Sequence, residues 1–239
     1  FETLDAVATH LARGSPGDDV VERAARLTRG TLGGLDDKDN KGKTFTFVLD
    51  ESKGTGAGYD TLYVDANGDG SLDVQSKVTG KPNTYKQDGK EVQDWRNVDF
   101  PPVDLNVAYG EKTYPFRVKP WCHTYSETQM RLASSGYCKG EIALSGTTYP
   151  VALVDDTCNG RFNDPFTVQG SGSSGSIYGK GDVLVIDRNK DGKFEKDYNL
   201  TPERYRQGKY LVFDGVCYDL EVSPCGHRLT LKPTEAACG

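Results

Sequence analysis

From Lys43 onward apolar and polar residues alternate with the two-residue period of half-buried strands. The pattern marks 44–50 (TFTFVLD), 60–65 (DTLYVD), 103–110, 112–120, 141–146, 147–155, 181–187 (GDVLVID), 209–215, 216–224 and 227–233. Gly, Pro and Asp bound these runs, which predicts antiparallel hairpins. The pairs 103–120 and 209–233 turn on Gly or on Pro-Cys-Gly. Only 4–12 (LDAVATHLA) and 18–28 (DDVVERAARLT) have helical spacing, the second with Asp18 and Asp19 at its positive end. They predict a short helical N-terminal arm; their low apolar content also fits a flexible or partner-docking extension.

The two halves of the chain resemble each other. TFTFVLDESKG followed by DTLYVDANGDGSLD parallels TYPVALVDDTCNG followed by DVLVIDRNKDGKFE, matching Asp50 with Asp155 and Asp65 with Asp187. The expected fold is therefore mainly β, with two similar antiparallel β units, duplicated and hairpin- or sandwich-like, behind the helical arm. The boundaries that follow are an arm over 1–42, a first β unit over 43–120, a connector over 121–140 and a second β unit over 141–239. The second unit is enlarged by an insertion containing the Gly/Ser run 169–176.

Composition agrees with short strands and turns: hydrophobic residues are 36% of the 239, with 28 Gly, 13 Tyr and a single Met. The formal charge of -6, with 35 acidic residues against 29 basic ones, lacks the basic footprint that nucleic acid requires and suits divalent cations. No apolar run approaches the roughly 18 residues of a membrane span, and Phe1 opens no signal peptide, so the chain reads as a soluble, mature or trimmed form. The six cysteines, at 122, 138, 158, 217, 225 and 238, form no C-x-x-C pair. They read as up to three disulfides, hence an oxidising compartment, with six buried thiols as the alternative. Cys122 with Cys138 and Cys217 with Cys225 are the sequence-local pairings, which would leave Cys158 with Cys238.

The strongest motif is DANGDGSLD. Asp65, Asn67, Asp69, the main-chain carbonyl of Ser71 and Asp73 stand at positions 1, 3, 5, 7 and 9, and Gly70 at position 6 permits the sharp turn. DRNKDGKFE repeats the spacing with Asp187, Asn189, Asp191, the carbonyl of Lys193 and Glu195, and Asp197 could add a carboxylate. Alternate residues of such a loop point oxygens inward, and Ca2+ takes six to eight oxygens at about 2.4 Å. The same pattern without an ion is an ordinary Asx-rich turn. DDTCNGRFND, with Asp155, Thr157, Asn159, Gly160 and Asn163, keeps the register with fewer charges, so a third site and a hydrogen-bonded turn are both open. Around Asp37 and Asp39, Lys41 falls at position 5 and a solvated turn is expected. The two full loops resemble those of dockerins, thrombospondin type 3 repeats and integrin α propellers. Position 12 holds Ser76 and Tyr198 instead of Glu, so a helix-loop-helix EF-hand is not expected. Over 140–235 the chain is similar to uncharacterised secreted proteins of planctomycete-type bacteria, in strings such as YPVALVDDTCNGRFND and YDLEVSPCGHRLTLKP. That resemblance implies an extracellular or cell-surface context and supplies no catalytic residues.

Enzyme signatures are missing from the sequence. His10, His123 and His227 belong to no metalloprotease or nucleophile motif, and no phosphate-binding or dinucleotide fingerprint occurs. The expected function is a non-catalytic, calcium-stabilised extracellular structural protein whose partners are copies of itself in a surface layer or filament. Two other classes stay open. One is a carbohydrate- or cell-wall-binding module using Trp95 or Trp121 against glycans; the other is a secreted hydrolase with paired carboxylates.

Overall fold

The computed structural model describes residues 26–30, 45–52, 58–72, 77–124, 129–171, 177–194 and 202–234. These residues are mainly β, in several antiparallel sheets. The chain divides into two compact units, Phe1–Ser135 and Gly136–Gly239. The division falls inside the stretch 121–140, and most of the described residues there are strand. Among the described residues no helix is long and apolar enough to cross a membrane.

The first unit contains β1 (Arg26–Gly30), β2 (Phe45–Asp50), β3 (Thr61–Val64), β4 (Lys77–Thr79), β5 (Lys81–Gln87), β6 (Lys90–Asp99), β7 (Val103–Tyr109), β8 (Lys112–His123) and β9 (Gln129–Ser134). A four-stranded sheet runs in the order β1-β2-β3-β4, and a second runs β5-β6-β8-β7 with β9 also paired to β8. β1 corrects the helical arm at its end: Arg26, Leu27 and Thr28, expected as the last residues of the helix 18–28, pair with Leu49, Val48 and Phe47 of β2. Pairing to a neighbouring strand outweighs weak local helix propensity. The rest of that helix and the one over 4–12 lie outside the described residues. Alternation delivers Phe45, Phe47, Leu49, Leu62, Val64, Leu105, Val107, Phe116 and Val118 to buried positions.

The second unit contains β10 (Cys138–Leu144), β11 (Thr147–Val154), β12 (Thr167–Ser171), β13 (Ile177–Lys180), β14 (Val183–Ile186), β15 (Arg204–Arg206), β16 (Tyr210–Phe213), β17 (Val216–Val222) and β18 (Leu229–Pro233). Its sheets run β10-β11-β14-β15 and β16-β17-β18, with β12-β13 as a separate hairpin. Ile142, Leu144, Val151, Leu153, Leu184 and Ile186 of the first of these sheets form one buried cluster with Leu211, Phe213 and Tyr218 of the second. On the other face of β14, Val183 and Val185 pack with Ala152 and Phe194. β14 is therefore buried on both faces, which explains its unbroken apolar run VLVI.

The registers of the two units correspond strand by strand. Phe47 pairs with Val64 and Thr61 with Thr79, as Val151 pairs with Ile186 and Val183 with Arg206. Asp65 and Asp187 follow these matched strands directly. Counting forward from Phe47 and Val151 makes Asp155 the counterpart of Glu51, one residue after Asp50, so the sequence match of Asp50 with Asp155 is shifted by one.

Disulfide pairing departs from the sequence-local scheme. Cys122, Cys138, Cys158 and Cys225 are free thiols, whereas Cys217 is disulfide-bonded. Neither Cys122 with Cys138 nor Cys217 with Cys225 is joined. Cys217 lies near the start of β17 and Cys225 beyond its end; the extended strand between them spans about 15 Å, far past disulfide reach.

Leu184 is fully buried and Val212 is half exposed. Leu184→Ala is expected to lower unfolding free energy by about 2–5 kcal/mol, and Val212→Ala by no more than about 0.5 kcal/mol. Urea denaturation of both variants checks this, and equal losses would contradict the placement of the core.

Candidate metal-binding loops

At the ends of β3 and β14 the chain leaves its sheet through an aspartate. The Asp65 N–H donates to Thr46 O at 2.8 Å and the Asp187 N–H to Pro150 O at 3.0 Å, fixing both roots to the neighbouring strand. With this Asp as position 1, positions 4 and 6 are left-handed: Gly68 and Gly70 have φ of 66° and 84°, Lys190 and Gly192 of 58° and 77°. The loop after β11 repeats the turn, with Cys158 at 55° and Gly160 at 80°. Glycine takes this conformation freely, and lysine or cysteine takes it at a cost that the surrounding contacts must offset.

The position-1 carboxylate provides those contacts. Asp65 Oδ2 accepts the Gly70 N–H at 2.8 Å, while its Oδ1 accepts those of Gly68 and Asp69 at 2.8 and 3.2 Å. Asp187 Oδ2 accepts from Gly192 at 3.0 Å and Oδ1 from Asp191 at 3.2 Å. Asp155 does the same for Gly160 at 2.7 Å and Asn159 at 3.3 Å. At position 5, Asp69, Asp191 and Asn159 each accept the N–H of position 7, from Ser71, Lys193 and Arg161, at 2.8, 2.9 and 2.8 Å. Position 8 is apolar each time: Leu72 is half-buried, Phe162 joins the main core cluster and Phe194 packs on the outer face of β14.

The loops differ in how their mouths are closed. In the third, Thr157 Oγ1 and Asn159 Nδ2 donate to Asp164 Oδ2 at 2.8 and 2.5 Å, bridging positions 3 and 5 to position 10. The first two loops have aspartate at position 5, which cannot donate, and Val74 or Lys196 at position 10, which cannot accept. Asn67 instead accepts from Asn106 Nδ2 of β7 at 2.5 Å, and Asn189 accepts the Asp191 N–H at 2.8 Å. Asp69 and Asp191 remain exposed to solvent. Asp73 and Glu195, the expected position-9 ligands, lie outside the described residues, as does Asp197. Each of the first two loops thus contributes two described carboxylates, and among the described residues no group of three acidic, histidine or cysteine side chains is arranged to hold a metal ion.

The chain matches no family model, no curated protein and no solved structure.

Three buried acids, Asp60, Asp182 and Glu203, escaped the sequence reading. Asp182, just before β14, accepts the N–H of Asp156 at 3.1 Å and of Asp164 at 2.8 Å, tying the third loop to the root of β14. Asp60, just before β3, likewise accepts the N–H and hydroxyl of Ser52 at 2.8 and 2.5 Å. The signal was present in the paired strings DTLYVD and DVLVID, each of which begins as well as ends on aspartate. Glu203 gave no such signal. Its Oε1 accepts the N–H of Arg188 and Asn189 at 3.0 and 3.4 Å, and its Oε2 is buried with no hydrogen-bond partner.

Burial and neighbours divide these acids electrostatically. Burial alone would raise the pKa of Asp60, but the two hydrogen bonds from Ser52 outweigh it and the net shift is downward. Burial pushes Asp155 up to about 6, against the N–H bonds of Gly160 and Asn159. Asp182 is pushed up to about 7, by burial first and then by the charges of Asp155 and Asp164, against the N–H bonds of Asp164 and Asp156. Asp155 and Asp182 therefore bind their protons more tightly than an ordinary carboxylate.

A carboxyl that binds its proton more tightly when folded contributes stability that is full below the unfolded range, about pH 4. That stability is lost as pH rises through about 6 for Asp155 and about 7 for Asp182. In EDTA, the urea midpoint should fall more steeply across this window in the native chain than in Asp182→Asn. Parallel profiles would show that these acids titrate ordinarily.

Proposed function

We propose that the chain is a non-catalytic, extracellular structural protein built from a duplicated β unit, in which the loops 65–73 and 187–195 are calcium clasps. The supporting observation is the shared turn with contrasting closure. Three loops adopt left-handed conformations at positions 4 and 6 around a buried carboxylate. One is sealed by side-chain donors, whereas the other two carry exposed acids at position 5 that have no proton to donate. A hard divalent cation would close those two mouths, as the hydrogen bonds from Thr157 and Asn159 to Asp164 close the third. Asp65, Asn67, Asp69, the Ser71 carbonyl and Asp73 would hold one ion; Asp187, Asn189, Asp191, the Lys193 carbonyl and Glu195 would hold the other.

Loops of this kind bind calcium at about 0.1–1 mM in extracellular modules. Each tenfold excess of calcium over its dissociation constant adds about 1.4 kcal/mol to the folded state. The disulfide at Cys217 fits an oxidising compartment. Assembly into a layer or filament would use β16, one of the two outer strands of its sheet among the described residues, which exposes Tyr210 and Val212. An unpaired edge with outward apolar residues is a template for strand addition by a second copy.

Calorimetric titration with calcium should show two binding events. Asp69→Ala and Asp191→Ala, at exposed positions, should each remove one, and Thr157→Val should remove none. Unchanged stoichiometry in the two aspartate variants would end the clasp reading. Light scattering in millimolar calcium should show mass rising with concentration and Val212→Lys abolishing the rise; a chain that stays monomeric would remove the assembly reading.

A further inference from the structure

Cys138 opens β10, and Cys225 sits in the turn between β17 and β18. Although 87 residues apart, they meet: Cys138 Sγ lies 3.7 Å from the Cys225 carbonyl oxygen. A Cβ placed on Gly226 would come within 2.7 Å of the same sulfur, so the thiol rests directly against the turn. The turn itself is held, with the Gly226 N–H donating to Ser223 O at 2.8 Å and the Ser223 N–H to Arg228 O at 2.9 Å. Cys225 Sγ lies 3.6 Å from Ser223 Oγ. Both cysteines are half-buried, within reach of a small oxidant. Burial raises the pKa of Cys138, and the neighbouring Cys225 raises it further. The other free thiols are set apart: Cys122 is 1% exposed, and burial with Asp155 pushes Cys158 up to about 12.

We propose that Cys138 and Cys225 are a disulfide-forming pair that staples the start of β10 to the β17–β18 turn. The oxidant is a small-molecule disulfide of the oxidised glutathione class. One cysteine thiolate attacks a sulfur of that disulfide, forming a mixed disulfide and releasing one small thiolate. The second cysteine thiolate then attacks the protein sulfur of the mixed disulfide and displaces the other small thiolate. Two protein thiols thus lose two protons and two electrons, and one small disulfide becomes two thiols. The staple closes a long loop and restricts the unfolded chain most strongly for that reason. It is independent of calcium.

The full folded chain is incubated with oxidised glutathione and mapped by mass spectrometry without reduction. The expected product joins the peptides of Cys138 and Cys225, loses two titratable thiols and unfolds at a higher urea midpoint. In Cys138→Ser and Cys225→Ser the remaining cysteine should retain glutathione, with no rise in midpoint. Stable glutathione on both cysteines of the native chain, a bond to Cys122 or Cys158 instead, or thiols that stay free would each overturn the pairing.

Discussion

Each unit depends on a carboxylate buried at the end of a strand. Asp65 and Asp187 terminate β3 and β14, and Asp155 follows β11. All three turn their oxygens onto the N–H groups of a tight loop that reverses the chain. Without the acid, the main-chain donors of each loop would lose their acceptor, and the buried Gly160 N–H of the third loop would be left unpaired at about 1–3 kcal/mol. With it, the left-handed conformations of Lys190 and Cys158 become tolerable. The loop can then place its position-8 side chain against the sheet, as Phe162 and Phe194 show.

Burying a carboxylate creates an electrostatic debt, and the three loops settle it differently. The third combines donated hydrogen bonds with raised proton affinity at Asp155 and at the neighbouring Asp182, through burial at both and, at Asp182, also through the nearby charges of Asp155 and Asp164. The first two add a further acid at position 5 and leave it exposed. The proposed calcium at those two loops would account for one backbone turn carrying two chemistries.

Much of this was legible in the sequence where alternation was strong. Each strand-like run contains a strand, and the repeated D-x-L-x-V/I-D strings mark the matched β3 and β14. What stayed hidden had physical reasons. β5 is largely exposed and β6 mostly half-buried, so KPNTYKQ and KEVQDWRNVD carry no apolar alternation to read. β1 owes its strand to pairing with β2, which local propensity over 18–28 does not record. The cysteines misled because proximity in sequence is not proximity in space. Cys217 and Cys225 are separated by an extended strand, whereas Cys138 and Cys225 meet across 87 residues. Glu203 was invisible because its role is set by the loop it faces, not by its own neighbours in TPER.

The central claim is that identical turns are closed by a cation in two loops and by hydrogen bonds in the third. Anomalous diffraction from crystals grown in calcium and exchanged with terbium tests it directly. The account predicts peaks beside Asp65 and Asp69 and beside Asp187 and Asp191, with none beside Asn159. A peak in the third loop, or no peak in the first two, would contradict it.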